Sequence, residues 1–234
     1  MLTLYELCGA DKTIRFSPYV WRVRFALAHL GLDYQGVPIS FLDKQAIAPS
    51  GQGKVPVLVD GEEWVHDSWH IAVYLHEHYG KKANTPLINK DGLGALWAFN
   101  QMVDAYIAPC FRPFIVLPVI HGLDKENADY FRQTREKLFG MRLEDFAGNL
   151  DEKRENLWKT LSIFHPILDK QLYFGGDTPN YADHILMGCF MWGKSLSDYP
   201  LLKADDPLFA WRKNMLDAYD GMAKHAAGFP IQPA

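Results

Sequence analysis

The chain has 234 residues, 48% of them hydrophobic and 22% charged, with 24 Lys and Arg against 28 Asp and Glu for a net charge of −4. Those proportions exclude a disordered or low-complexity chain, and the acidic balance lacks the basic surplus of a nucleic-acid binder. The longest apolar run, around residues 185–193, is under half the length of a membrane span.

The start, Met1-Leu2-Thr3-Leu4-Tyr5-Glu6, has neither the basic nor the apolar region of a signal peptide. Cys8, Cys110 and Cys189 lie too far apart for a disulfide framework or a zinc site. A cytoplasmic protein with free thiols and no metal is the expectation.

Leu2 to Leu7 alternates as a strand does. Ser17 is a good helix cap and Pro18 a good first helical residue, and Val20, Val23, Leu27 and Leu30 recur at helical spacing before Gly31. Tyr34 to Ser40 reads as a second strand, giving a β-α-β unit. Val55 to Val59, then Asp60-Gly61, then Glu63-Trp64-Val65 reads as a hairpin with a type I′ turn. Ser68 is read as the cap of a further helix with Ile71, Tyr74, Leu75 and His78 on one face, closed by Gly80.

Residues 1–80 thus form one α/β domain and residues 81–91 a polar linker. Residues 92–234 are almost wholly helical in period. Pro109, Pro113 and Pro118 are expected to break the first long stretch. Helices are expected over 124–143 and 149–172, then a loop from Tyr173 to Pro179. Asn180 and Asp183 resemble a capping box for a buried helix, and a last helix runs from Pro207 to about Asp220.

Four motifs in order carry a family resemblance: Ser17-Pro18-Tyr19, Lys54-Val55-Pro56, Asp67-Ser68 and Asn180-Tyr181-Ala182-Asp183. Together they resemble the glutathione transferase superfamily. The stretch Ser17-Pro18-Tyr19-Val20-Trp21-Arg22 with Asp67-Ser68-Trp69 looks more like the branch of bacterial β-aryl etherases and related fungal transferases. The resemblance implies a thioredoxin-like N-terminal domain, an all-helical C-terminal domain and a homodimer. It also implies glutathione as co-substrate and a small hydrophobic, aromatic electrophile as acceptor. A non-catalytic glutathione- or hydrophobic-ligand-binding protein of the same fold is the competing reading.

By the same resemblance, the Ser17 hydroxyl donates to the glutathione sulfur, with Tyr19 as a rival and Tyr5 a more remote one. Ser68 takes the γ-glutamyl carboxylate and Asp67 the ammonium. Val55, before a cis Pro56, pairs with the cysteinyl main chain, and Lys54 reaches the glycyl carboxylate. Tyr19, Trp97, Met102, Tyr106, Phe111 and Trp192 are candidate walls of the acceptor pocket between the domains.

Gly188 to Ser195 matches the P-loop pattern, but its middle residues are Cys, Phe, Met and Trp inside a helical segment, so a nucleotide site is rejected. His66 and His70 flank a helix start and share no face for a metal.

Overall fold

A computed structural model describes residues 1–234, apart from the side chain of Lys82. Its sheet has four strands: β1 (Leu2–Leu7), β2 (Tyr34–Ile39), β3 (Val57–Asp60) and β4 (Glu63–His66), in the order β2-β1-β3-β4. The β1–β2 pair is parallel, with Leu4 opposite Gly36, and β3 runs antiparallel to both β1 and β4. The parallel pair needs a crossover, which is α1 (Pro18–His29). Its inner face is Val20, Trp21, Val23, Phe25 and Leu27, all buried. The chain then meets α2 (Ser68–Tyr79), which buries Ile71, Ala72 and Leu75. His78, expected beside them, points to solvent.

The hairpin turn also differs from expectation. Its two central residues are Gly61 and Glu62, and only Gly61 has a positive φ, of 62°. A type I′ turn needs both; a glycine alone in the first position suits the other tight hairpin turn, type II′.

The helical part opens with α3 (Leu93–Met102), which passes through a widened turn at Val103–Ile107 into α4 (Ala108–Phe111). A tight turn, Arg112–Phe114, leads to α5 (Val116–His121), so Pro109 and Pro113 mark interruptions as expected, while Pro118 lies within α5. Then come α6 (Lys125–Phe139) and α7 (Leu143–Ala147), separated at Gly140, whose φ of 69° ends the helix expected to reach 143. The stretch 149–172 is likewise divided, into α8 (Leu150–Leu161) and α9 (His165–Leu168), because Pro166 supplies no N–H to the preceding turn.

Next is α10 (Tyr181–Leu196), buried along nearly its whole length. Its capping box is formed: Asn180 Oδ1 accepts from Ala182 N, and Asp183 accepts from Asn180 N at 2.9 Å. The Asp183 carboxylate also accepts from Phe174 N, Gly175 N and Trp211 Nε1, at 2.8, 3.0 and 2.8 Å. Burial raises its pKa, and those hydrogen bonds oppose the rise. Last is α11 (Pro207–His225), interrupted where Ala218 to Gly221 leave helical geometry. The expected end near Asp220 falls on that interruption. Among the described residues, no helix is long and apolar enough to cross a membrane.

The sheet layer and the helical layer meet where α10 crosses α1. A Cβ on Gly188 would lie 2.5 Å from the Pro18 carbonyl oxygen, so only glycine lets the two backbones approach this closely. Arg22 secures the same contact from the side. It donates to Asp104 at 2.6 Å and to Asn100 at 3.0 Å while wholly buried. Burial alone would lower the pKa of Arg22, but the hydrogen bond to Asp104 and its charge raise it.

Alanine exceeds glycine in helix propensity by about 1 kcal/mol, and overpacking a core costs about 1–3 kcal/mol. Backbone rather than a flexible side chain meets the new methyl, so the clash wins. Gly188→Ala is expected to lower unfolding free energy by about 1–2 kcal/mol in urea titrations.

Beneath this contact lies a polar chain. His29 Nε2 is 2.9 Å from the Thr85 carbonyl, which can only accept, so Nε2 carries the proton. His29 Nδ1 therefore accepts from Tyr219 Oη at 3.0 Å, and Tyr219 Oη accepts from His184 Nε2 at 2.8 Å. His184 Nδ1 is then a bare, buried lone pair. Burial lowers the pKa of both histidines, and the neighbouring His29 lowers that of His184 further.

Because the folded-state pKa values are depressed, the unfolded chain binds more protons in acid. The stability is fully present above the unfolded value of about 6.5 and is lost as pH falls towards the folded values. Urea midpoints are expected to fall from pH 7 to 5, less steeply in His184→Gln.

Candidate active site

Ser17 sits at the N-terminus of α1, 5% exposed, in extended geometry with φ −64° and ψ 123°. Its Oγ accepts from Val20 N at 3.4 Å, a long cap bond. Among the described residues, the hydroxyl proton of Ser17 has no acceptor.

The helical part holds the loop that carries Ser17. Ser195 Oγ lies 2.9 Å from the Arg15 carbonyl and 2.8 Å from that of Met191, with one proton to share. Trp21 Nε1 donates to the same Arg15 carbonyl at 2.7 Å. Glu6, buried on β1, pairs with Arg15 at 3.0 Å and Arg24 at 3.5 Å.

The Val55–Pro56 peptide is cis. Val55 lies just beyond the last β3–β4 rung, Val57 opposite His66, so its main chain extends past the ladder. Lys54 is exposed, its amide held by Gln52 Oε1 at 2.6 Å.

Asp67, rather than Ser68, is the cap of α2: its Oδ1 accepts from Trp69 N at 2.9 Å and His70 N at 3.3 Å. Those two amides are therefore already occupied by the Asp67 carboxylate. Ser68 is the first helical residue, 3% exposed. Its carbonyl accepts from Tyr181 Oη at 2.7 Å, and its hydroxyl has no partner among the described residues. Asp67 has φ 69° and ψ 133°, a conformation that L-residues rarely hold and that concentrates at functional sites.

The acceptor-wall candidates divide. Tyr19 is half-buried, with the Arg22 guanidinium 4.8 Å from its ring centre. Burial first, then the Asp104 charge, raises its phenol pKa. Tyr106 is 71% exposed. Trp97 is partly exposed and packs on Trp69 at 4.9 Å, while Met102 and Trp192 are half-buried. Phe111 is a correction: it is fully buried, edge-on to Phe190 at 5.0 Å, and lines no cleft. Tyr5 stacks on Trp64 at 5.7 Å, which fits packing rather than catalysis.

A cavity of about 540 Å³ lies between the sheet layer and the start of α6, lined by Cys8, Gly9, Ala10, Ser40, Asp43 and Asn127 among others. The loop after β2 is tied to that helix: Leu42 N donates to Asn127 Oδ1 at 3.2 Å and Lys44 Nζ to Tyr130 Oη at 3.2 Å.

Two family profiles match this chain: Glutathione S-transferase, N-terminal domain, over residues 13–83, and Glutathione S-transferase, C-terminal domain, over residues 96–200. The chain belongs to the glutathione S-transferase superfamily. A zeta-class glutathione S-transferase of Euphorbia esula is 44% identical over 112 residues, 45% of this chain and 47% of that protein. The match therefore spans about half of that relative's length.

A glutathione transferase structure from Phanerochaete chrysosporium superposes with a TM-score of 0.82 at 22% identity, covering 93% of this chain and 96% of the other. A Ceriporiopsis subvermispora glutathione S-transferase, solved in complex with glutathione, gives 0.72 at 24%, covering 95% and 92%. At these identities the structural matches establish the fold: a thioredoxin-like domain with a mixed four-stranded sheet, followed by a helical domain.

Within this superfamily fold, no group of His, Cys, Asp and Glu among the described residues is placed to hold a metal. Cys8 is buried and burial pushes its thiol pKa up; Cys189 is pushed up to about 11 by burial. Sequence reasoning missed the supports of Ser17. Ser195 belonged to the rejected P-loop match, and nothing in its spacing from Arg15 signals their contact.

Asp67 separates its two roles in a stability series. Replacing a cap by alanine costs about 0.5–2 kcal/mol and by glycine a few tenths. The positive φ strains alanine as it already strains Asp67, and glycine relieves it. Asp67→Ala is expected to lose about 0.5–2 kcal/mol in denaturant melts, and Asp67→Gly to lose nothing or to gain stability.

Proposed function

We propose that this chain is a glutathione transferase in which Ser17 stabilises the glutathione thiolate. The observation that carries the reading is the unspent hydroxyl proton of a nearly buried serine at a helix N-terminus. Lowering a thiol pKa by two units from about 8.5 takes about 2.7 kcal/mol. A helix N-terminus contributes about 0.3–1 kcal/mol and a hydrogen bond to a charged group about 1.5–3. The sum suffices without a separate base.

Glutathione binding itself follows from the superfamily, and a glutathione-bound neighbour of the same fold supports it. Ser68, with its free hydroxyl, takes the γ-glutamyl carboxylate, and Asp67, through its uncommitted oxygen, the ammonium. The main chain of Val55, before the cis Pro56, pairs with the cysteinyl unit, and Lys54 meets the glycyl carboxylate. Tyr19 borders the reacting sulfur, but as a phenol held neutral by burial it is a second donor at most.

The thiolate attacks an electrophilic carbon of a small aromatic acceptor. In an aryl ether substrate, the C–S bond forms as the C–O bond breaks and a phenolate leaves with the electron pair. A mixed-disulfide route has no support, since Ser17 stands at the helix start and Cys8 and Cys189 are buried with raised pKa values. The proposal extends to a homodimer in the cytoplasm, where thiols remain reduced.

Near-ultraviolet thiolate absorbance during titration with glutathione at neutral pH tests the reading. A saturable rise is expected in the wild type. Ser17→Ala is expected to retain glutathione binding while losing the rise and about 10–100-fold in kcat. Unchanged turnover in that variant removes Ser17 from its role.

A further inference from the structure

Four arginines hold a guanidinium nitrogen that is sealed from solvent and has no hydrogen-bond acceptor among the described residues: Arg15, Arg22, Arg154 and Arg212. Three of them have a carboxylate against them, Glu6 for Arg15 at 3.0 Å, Asp104 for Arg22 at 2.6 Å and Asp151 for Arg154 at 3.0 Å. Arg212 has none among the described residues, and burial pushes its pKa down to about 9. It lies in the first turns of α11 and is 4% exposed. Its guanidinium carbon is 5.2 Å from the ring centre of Phe190 on α10. A ring face attracts a cation but leaves its N–H donors without acceptors.

A second buried cation lies on the same strip of α10. Lys194 follows Phe190 by four residues, and long helical side chains lean back over the preceding turn. It is 6% exposed, and its ammonium donates to the Ala226 carbonyl at 2.9 Å. Burial, then the Arg212 charge, lowers its pKa. The chain after α11 folds onto it. Phe229 N donates to the Lys194 carbonyl at 2.7 Å, and a Cβ on Gly228 would lie 2.4 Å from that oxygen.

Neighbouring acids are committed elsewhere. Asp183 takes four donors, Asp206 caps α11 and lies 3.2 Å from His165 Nε2, and Asp217 pairs with Lys224 at 2.7 Å. Buried cations are costly unless an anion accepts their N–H groups. A fixed fork of N–H donors beside an ammonium matches the oxygens of a carboxylate or a phosphate. Because both side chains are nearly sealed, the anion has to be small.

We infer that Arg212 and Lys194 form a binding site for a small oxyanion between α10 and α11, beside the Ala226–Phe229 segment. The site does not depend on the transferase reading, and Ser17→Ala is expected to leave it intact.

Thermal melts without glutathione test it, with chloride exchanged for low-millimolar phosphate or acetate at constant ionic strength. A ligand held by the folded state alone raises the melting temperature saturably, whereas general salt effects need far higher concentrations. A saturable rise is expected in the wild type with at least one of the two anions. Phosphate alone marks a phosphoryl ligand, acetate alone a carboxylate, and both a site for either. Arg212→Met, which keeps the apolar stem, is expected to abolish the rise. Lys194→Met is expected to raise the half-saturating concentration about tenfold.

No saturable rise in the wild type, or the same rise in Arg212→Met, overturns the inference. So does a rise that Ser68→Ala removes and Arg212→Met does not, which would give the anion to the start of α2. If Arg212→Met does not fold, calorimetric titration of phosphate and acetate into the wild type and Arg212→Lys decides. The lysine keeps the charge but loses the fork, so binding about tenfold weaker than in the wild type is expected. Equal binding by the two proteins, or no binding by the wild type, removes the site.

Discussion

The close crossing of α10 over α1 governs this molecule. Helix α1 belongs to the sheet layer and carries Ser17 at its tip; α10 is the buried axis of the helical domain. The absence of a side chain at Gly188, against the Pro18 carbonyl, sets how near they come. Around that point stand Arg22 with Asp104, Ser195 with Arg15, and the His29–Tyr219–His184 chain. Each joins an element of one layer to an element of the other. The position of Ser17 is therefore a property of the interface between domains, more than of the loop in which it lies.

The N-terminal end of α10 is fastened by different means. Asp183 gathers three main-chain amides and the Trp211 indole around one buried carboxylate. A buried charge is tolerable only with such satisfaction, and four donors provide it. The helix is thereby held in register at its start, before the Gly188 contact. Two residues before Asp183, Tyr181 reaches across to the Ser68 carbonyl, so the same helix also braces α2.

Much of the fold was legible because local rules and tertiary packing agree. Ser17-Pro18 begins a helix, Asn180 with Asp183 forms a capping box, and the strands of the first domain fall close to the expected stretches, β3 starting at Val57 rather than Val55. The misplacements have local causes. Asp67 rather than Ser68 caps α2, because a carboxylate in the preceding position reaches both free amides despite a costly φ. Pro166 and Gly140 cut helices whose hydrophobic period runs on past them. Of the candidate site, the residues within motifs could be named from the sequence. Ser195, whose hydroxyl lies against the Arg15 carbonyl across the domains, carries no periodic or spacing signal. Phe111 shows the reverse error: an aromatic at a plausible position is core when α10 supplies Phe190 against it.

The bonds from the 40–44 loop to α6 have a consequence for the cavity they border. Leu42 and Lys44 are moored to Asn127 and Tyr130, and Phe41 is packed on Phe131. The rim of the cleft on that side is thus made of two chain segments far apart in sequence but fastened to each other. Widening the cavity on that side therefore takes movement of a helix as well as of a loop, so its width depends on the cohesion of α6.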